Sequence, residues 1–264
     1  MIDTFLIKLV LSFLVGGTWV AAATLVADKY GTRIGGIIVG LPSTLLISLF
    51  FIGWTQSPGV AVEATTIVPV IGAVNALFLV AYIALVRVSF WLALCGSALL
   101  WAGCSFSLVL LRFSNFALSL AIYVMVVVVS YLIIEKGIRV RSESARKINH
   151  TFGTLLFRGL LSGVIITSAV FMGKMGGPLL GGMFAMFPAM FLGTLLITYF
   201  SQGPLFSSAV MKVALISAVS VVFYGVLVRY TYIPLGLWWG TLVSIVISFS
   251  SAYFIHILVV KRIS

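Results

Sequence analysis

The stretch Gly31–Pro58, GTRIGGIIVGLPSTLLISLFFIGWTQSP, decides the fold, because a run apolar enough to cross a membrane is divided near its middle by proline. The pattern returns 146 positions later as Gly177–Pro204, GPLLGGMFAMFPAMFLGTLLITYFSQGP. Eight of the 28 aligned positions are identical: Gly31/Gly177, Gly35/Gly181, Gly36/Gly182, Pro42/Pro188, Leu46/Leu192, Leu49/Leu195, Gln56/Gln202 and Pro58/Pro204. Matching leucines and glycines are common in so apolar a chain, whereas two prolines and a glutamine at one offset are not. Pro42 is tenth of the 22 residues from Arg33 to Trp54, and Pro188 is twelfth of the 24 from Gly177 to Phe200. At about 1.5 Å per residue, both breaks fall near the middle of a hydrocarbon layer roughly 30 Å thick. Proline lacks an N–H and clashes with the carbonyl four residues back, so the half-helix after it starts with free N–H groups aimed at the midplane. Such a break is either a kink satisfied by neighbouring helices or one wall of a binding site.

The rest of the chain is compatible only with a membrane. Of 264 residues, 62% are hydrophobic and 8% charged, with a mean hydropathy of +1.27, whereas soluble domains carry about 25% charged residues. The net charge of +11 would suit nucleic acid if it formed a basic face, but the cations are scattered between apolar runs, where position gives them their meaning. No nucleic-acid partner is expected; the lipid bilayer is. Cys95 and Cys104 lie nine residues apart in one apolar run, without metal-type spacing.

Runs long enough to span fall at about 5–27, 34–54, 59–86, 90–111, 116–134, 153–172, 178–200, 205–228 and 235–260, which predicts nine helices. The first, with Lys8 and Ala21-Ala22-Ala23, imitates a secretory signal, but Gly17 maps onto Gly163 at the same offset, so it is read as a helix. Helices 1 to 4 then correspond to helices 6 to 9, and helix 5, Phe116 to Ile134, is an unmatched connector. This divides the chain into a first four-helix repeat over 1–112, a connector with a basic linker over 113–150, and a second repeat over 151–264. Four spans return the chain to its starting side and a fifth crosses it, so the second repeat is expected to be inverted.

Charge sorting gives the same topology. Twelve cations fall on one side, Lys29, Arg33, Arg87, Lys136, Arg139, Arg141, Arg146, Lys147, Arg158, Lys212, Lys261 and Arg262, against Lys8, Arg112, Lys174 and Arg229 on the other. The positive-inside rule places the N-terminus outside and the C-terminus in the cytoplasm. The linker Glu135 to Thr151 reads as a topogenic cytoplasmic segment or as a contact for anionic head groups.

Three segments, LIKLVLSFLVGG at the start, GGIIVGLPSTLLISLFFIG in the second helix and SPGVAVEATTIV entering the third, resemble the GlpM-like family of small bacterial inner-membrane proteins. The resemblance covers roughly 4–112, with a fainter copy over 150–260. Members of that family have one repeat of four helices, so the resemblance implies two such units fused in opposite orientations in the cell inner membrane. The family pattern has a further proline where this chain has Gly40, which implies a differently shaped break.

Reactive groups are scarce. The acidic residues are Asp3, Asp28, Glu63, Glu135 and Glu143, and neither His150 nor His256 is paired in sequence with a carboxylate or thiol. The chain has no HExxH, P-loop lysine or GxSxG, so neither an enzyme nor a cofactor is expected. Glu63 at the start of helix 3 is either a carrier of coupling protons or a carboxylate complementing the helix dipole. At the equivalent places the second repeat has Ala209 and, opposite Thr66, Lys212. Gln56 and Gln202 precede Pro58 and Pro204 at opposite membrane faces and either gate or cap. Gly35, Gly36, Gly181 and Gly182 permit close helix approach, and Trp54, Trp91, Trp101, Trp238 and Trp239 read as interface anchors.

The fold expected is an all-α polytopic membrane protein of two inverted four-helix repeats. By analogy with broken-helix architectures, its expected function is secondary transport of a small anionic or polar solute. The site expected at the midplane comprises Gly40, Pro42, Ser43, Thr44, Pro188 and Ala189, with Glu63, Gln56, Gln202 and Lys212 as coupling or gating residues. The competing readings are an ion channel and a lipid flippase or membrane assembly factor of the same fold.

Overall fold

The computed structural model describes the backbone over residues 2–39, 42–140 and 152–255, and side chains over 4–25, 42–140 and 152–254. Gly40, the side chains of Asp3, Asp28, Gly35 and Gly36, and the linker from 141 to 151 with Glu143 and His150 lie outside the described residues, as does His256. The described chain is helical throughout: α1 (Ile2–Val39), α2 (Ser43–Thr55), α3 (Pro58–Ala64), α4 (Val68–Leu85), α5 (Phe90–Leu110), α6 (Phe116–Leu132) with a π-helical turn (Ile133–Ile138), α7 (Phe152–Met175), α8 (Pro178–Ala185), α9 (Ala189–Ser217) and α10 (Val219–Ile255). Among the described residues six stretches have the length and hydropathy to cross a membrane, and the protein is a multi-pass helical membrane protein. The last of these, Pro178–Phe254, is subdivided by the break at Met186–Pro188 and by bends at Gly203 and Gly236, whose φ angles are +84° and +71°. α1 takes in the first expected run and the opening residues, 34–39, of the second.

Element boundaries repeat at the offset seen in the sequence. α2 begins at Ser43 and α9 at Ala189, and Pro58 and Pro204 each follow a turn 15 residues later. The third expected run, 59–86, is not one helix: it divides into α3 and α4 around Thr65, Thr66 and Ile67. The cause is Pro69 at the start of α4. It cannot donate to residue 65, and the chain tightens there into three-residue bonds, Thr66 N to Glu63 O at 3.0 Å and Val68 N to Thr65 O at 3.2 Å. Leu215 stands at the equivalent place, and there the interruption comes later, at Ala218.

α1 and α7 pack through small residues. A Cβ on Gly17 would lie 2.9 Å from the Gly159 carbonyl, and one on Gly163 would lie 2.9 Å from the Phe13 carbonyl. Those contacts are reciprocal, since 13 corresponds to 159 and 17 to 163. Ser12 meets Thr167 at 3.4 Å, so α7 partners descend in number as α1 ascends and the two helices run antiparallel. Close approach replaces the hydrophobic driving force that lipid cannot supply. The glycines of α8 act likewise: Gly181 lies against Gly173 of α7, and Gly182 against the Ala64 carbonyl at the end of α3.

Among the described spans α4 is the most enclosed, 72% buried against 22% for α5 and α6. The connector α6 is fixed to it on one face. Ser119 Oγ accepts from Val70 N at 2.9 Å, answering an N–H that the first turn of α4 leaves free. One turn on, the Tyr123 ring packs over Gly72, where an added Cβ would come 3.1 Å from Cε2.

Candidate functional site

The two proline breaks meet. Pro42 caps α2 with φ −76° and ψ 42°, and Pro188 caps α9 with φ −76° and ψ 41°. Both line a cavity of about 60 Å³, room for about four to six waters. Its walls pair by the 146 offset: Pro42 with Pro188, Thr44 with Met190, Leu45 with Phe191, Gly72 with Ala218, and Asn75 with Val221. Tyr123 of the connector, Val222 and the α8 end at Ala185–Phe187 complete the lining among the described residues. Trp101, expected at an interface, is instead buried, with its ring 4.9 Å from that of Phe187.

Electrostatics at the cavity are one-sided. The first backbone bonds of the half-helices are Leu46 N to Pro42 O at 2.7 Å and Leu192 N to Pro188 O at 2.9 Å, so Ser43, Thr44, Leu45, Met190 and Phe191 present N–H groups with no acceptor inside their own helices. Each helix start carries about half a positive charge. The opposing negative end belongs to α8: Gly182 and Met183 accept from Met186 N and Phe184 accepts from Phe187 N, while Ala185 O has no backbone donor because residue 188 is proline. Phe187 O in turn accepts from Ala189 N, and Met186 O accepts from Asn75 Nδ2 at 2.9 Å. No acidic side chain lines the cavity among the described residues. Two buried polar groups there lack partners, Asn75 Oδ1 and the Tyr123 hydroxyl. An unanswered polar group in so apolar a setting costs about 1–3 kcal/mol unless a ligand or water meets it.

No family model, curated protein or solved structure matches the chain. The site is therefore read from its own geometry.

Of the expected midplane residues, the cavity brings together Pro42, Thr44 and Pro188. Ser43 and Ala189 are buried beside it in the first turns of α2 and α9, and Ser43 Oγ has no partner. The expected gating residues lie elsewhere. Gln56 ends α2 and Gln202 sits in α9 just before Gly203, each with one buried, unpartnered amide atom. They are about 20 Å along the helix from their prolines. Glu63 is exposed in the last turn of α3, so it does not complement the N-terminal dipole of that helix; Ser57 caps that end by accepting from Val60 N at 3.3 Å.

Lys212, counted from sequence among the cations of one side and as a coupling or gating residue, is buried inside α9, where it pairs with Glu135 Oε2 at 2.5 Å and donates to Val140 O at 3.2 Å. Arg158 is likewise buried in α7 and donates to Thr194 Oγ1 at 2.9 Å. Asn75 was missed although it was visible as an amide within an apolar run. Tyr123 had no such signal.

Proposed function

We propose that the chain is a secondary transporter of nine crossings, with its N-terminus outside and its C-terminus in the cytoplasm of a cell inner membrane. Two inverted four-helix repeats, in keeping with the GlpM-like resemblance, enclose a midplane site for a small anionic or polar solute. The observation that carries this reading is the cavity whose lining includes five residue pairs related by the 146 offset, among them the first turns of α2 and α9. The antiparallel, reciprocal α1–α7 contact supports the inversion, and five N–H groups without helical acceptors, beside an α8 end of which only the Ala185 carbonyl lacks a backbone donor, favour an anion over a cation. Purified protein in vesicles provides the test. Saturable uptake of phosphate or nitrate, accelerated by the same anion on the far side, is expected, with no uptake of Mn²⁺. Selective movement of the bare metal cation would contradict the reading, and anion conductance without acceleration from the far side would make the same fold a channel.

A further inference from the structure

Asn75 gives the cavity a second requirement. Its Nδ2 must face the Met186 carbonyl, because an amide oxygen cannot bond another oxygen that has no proton. That fixes Oδ1 as an acceptor in a cavity-lining residue only 7% exposed, and it has no partner. Tyr123, 6% exposed, adds a hydroxyl without a partner. Oxygens carrying negative charge would be received by the N–H groups at the starts of α2 and α9, but such oxygens cannot satisfy Asn75 Oδ1. A bare halide or nitrate would leave that acceptor unmade.

We infer that the cavity selects a small oxyanion that keeps one O–H or N–H donor, which it gives to Asn75 Oδ1 while its charged oxygens accept from the two helix starts and the Tyr123 hydroxyl. This rests on the anion reading above and narrows it. A space of about 60 Å³ suits a ligand of roughly six non-hydrogen atoms, such as hydrogencarbonate, dihydrogen phosphate or a short hydroxy- or aminocarboxylate. The polar wall belongs to one repeat and the connector, since the second repeat has Val221 at the place of Asn75.

Hydrogencarbonate and nitrate make the test direct, because they share shape, charge and electron count and differ in one O–H. Isothermal titration of the intact protein in nanodiscs, at mildly alkaline pH, should show wild type binding hydrogencarbonate about tenfold or more tightly than nitrate, a ratio in line with one hydrogen bond left unmade. Asn75→Leu should bring the ratio to about one while nitrate still binds, and Tyr123→Phe should weaken both anions by a similar factor and leave the ratio in place. A wild-type ratio of one or less, or an unchanged ratio in Asn75→Leu, overturns the inference while leaving the anion site standing. Binding of neither anion overturns the site itself. The wild-type ratio decides the matter even if a variant does not fold.

Discussion

The two sides of the central cavity have nearly the same backbone and different chemistry. Pro42 and Pro188 differ by 1° in ψ, yet Thr44 corresponds to Met190 and Asn75 to Val221 at the 146 offset. Proline alone dictates where a half-helix begins, so duplicating it duplicates the geometry. What the helix starts are offered depends on side chains that each copy holds separately. The symmetric frame supplies two positive ends, and the asymmetric side chains supply one acceptor. On the reading proposed above, a ligand seated there would meet both repeats through backbone and only one through an amide.

The largest effect should come where the two copies touch reciprocally. Gly17→Leu and Gly163→Leu each drive a side chain into a backbone carbonyl that a bare Cβ would already approach to 2.9 Å. Both should lose stability by about 3 kcal/mol or more, and by similar amounts. Gly59→Ala, whose Cβ would find only Ser57 Oγ at 3.6 Å, should be close to silent. Thermal unfolding of the purified variants checks this, and tolerance of one leucine but not the other would break the equivalence.

A smaller effect should separate positions 66 and 212, which are equivalent in the frame and unlike in chemistry. Lys212→Ala removes the buried partner of Glu135, whose side chain is 42% exposed and regains water. The cost should be about 1–2 kcal/mol, below the usual figure for splitting a fully buried pair. Thr66→Ala removes only the hydroxyl that accepts from Arg229 Nη1 at 3.1 Å, for less than about 1 kcal/mol. Lys212→Met combined with Glu135→Gln should recover most of the first loss. Equal losses at 66 and 212 in the same unfolding measurement would remove the distinction.

The sequence revealed most wherever a residue acts through its own backbone. Pro42 and Pro188 break helices regardless of surroundings, and both breaks stand where they were expected. Pro69 follows the same rule, and overlooking it merged α3 with α4. Gly181 and Gly182 were legible as close-approach residues because nothing else fits against Gly173 and Ala64. The polar half of the site was harder to read. Asn75 is placed at the cavity by the register of α4 against Met186. Tyr123 is placed by Ser119 bonding Val70 and by the room that Gly72 leaves, contacts between helices far apart in the chain. The ion pair of Lys212 was not legible because its partner Glu135 lies 77 residues away in sequence.

Inversion is the central claim, and cysteine labelling from the two sides of the membrane tests it most directly. Ser57 and Ser201 sit at the turns that close the equivalent half-helices α2 and the first part of α9, and both are exposed. In a Cys95→Ser, Cys104→Ser background, Ser57→Cys should react with an impermeant maleimide only from outside, and Ser201→Cys only from the cytoplasm. Labelling of both from the same side would contradict the inverted arrangement and, with it, the converging helix starts on which the transport reading depends.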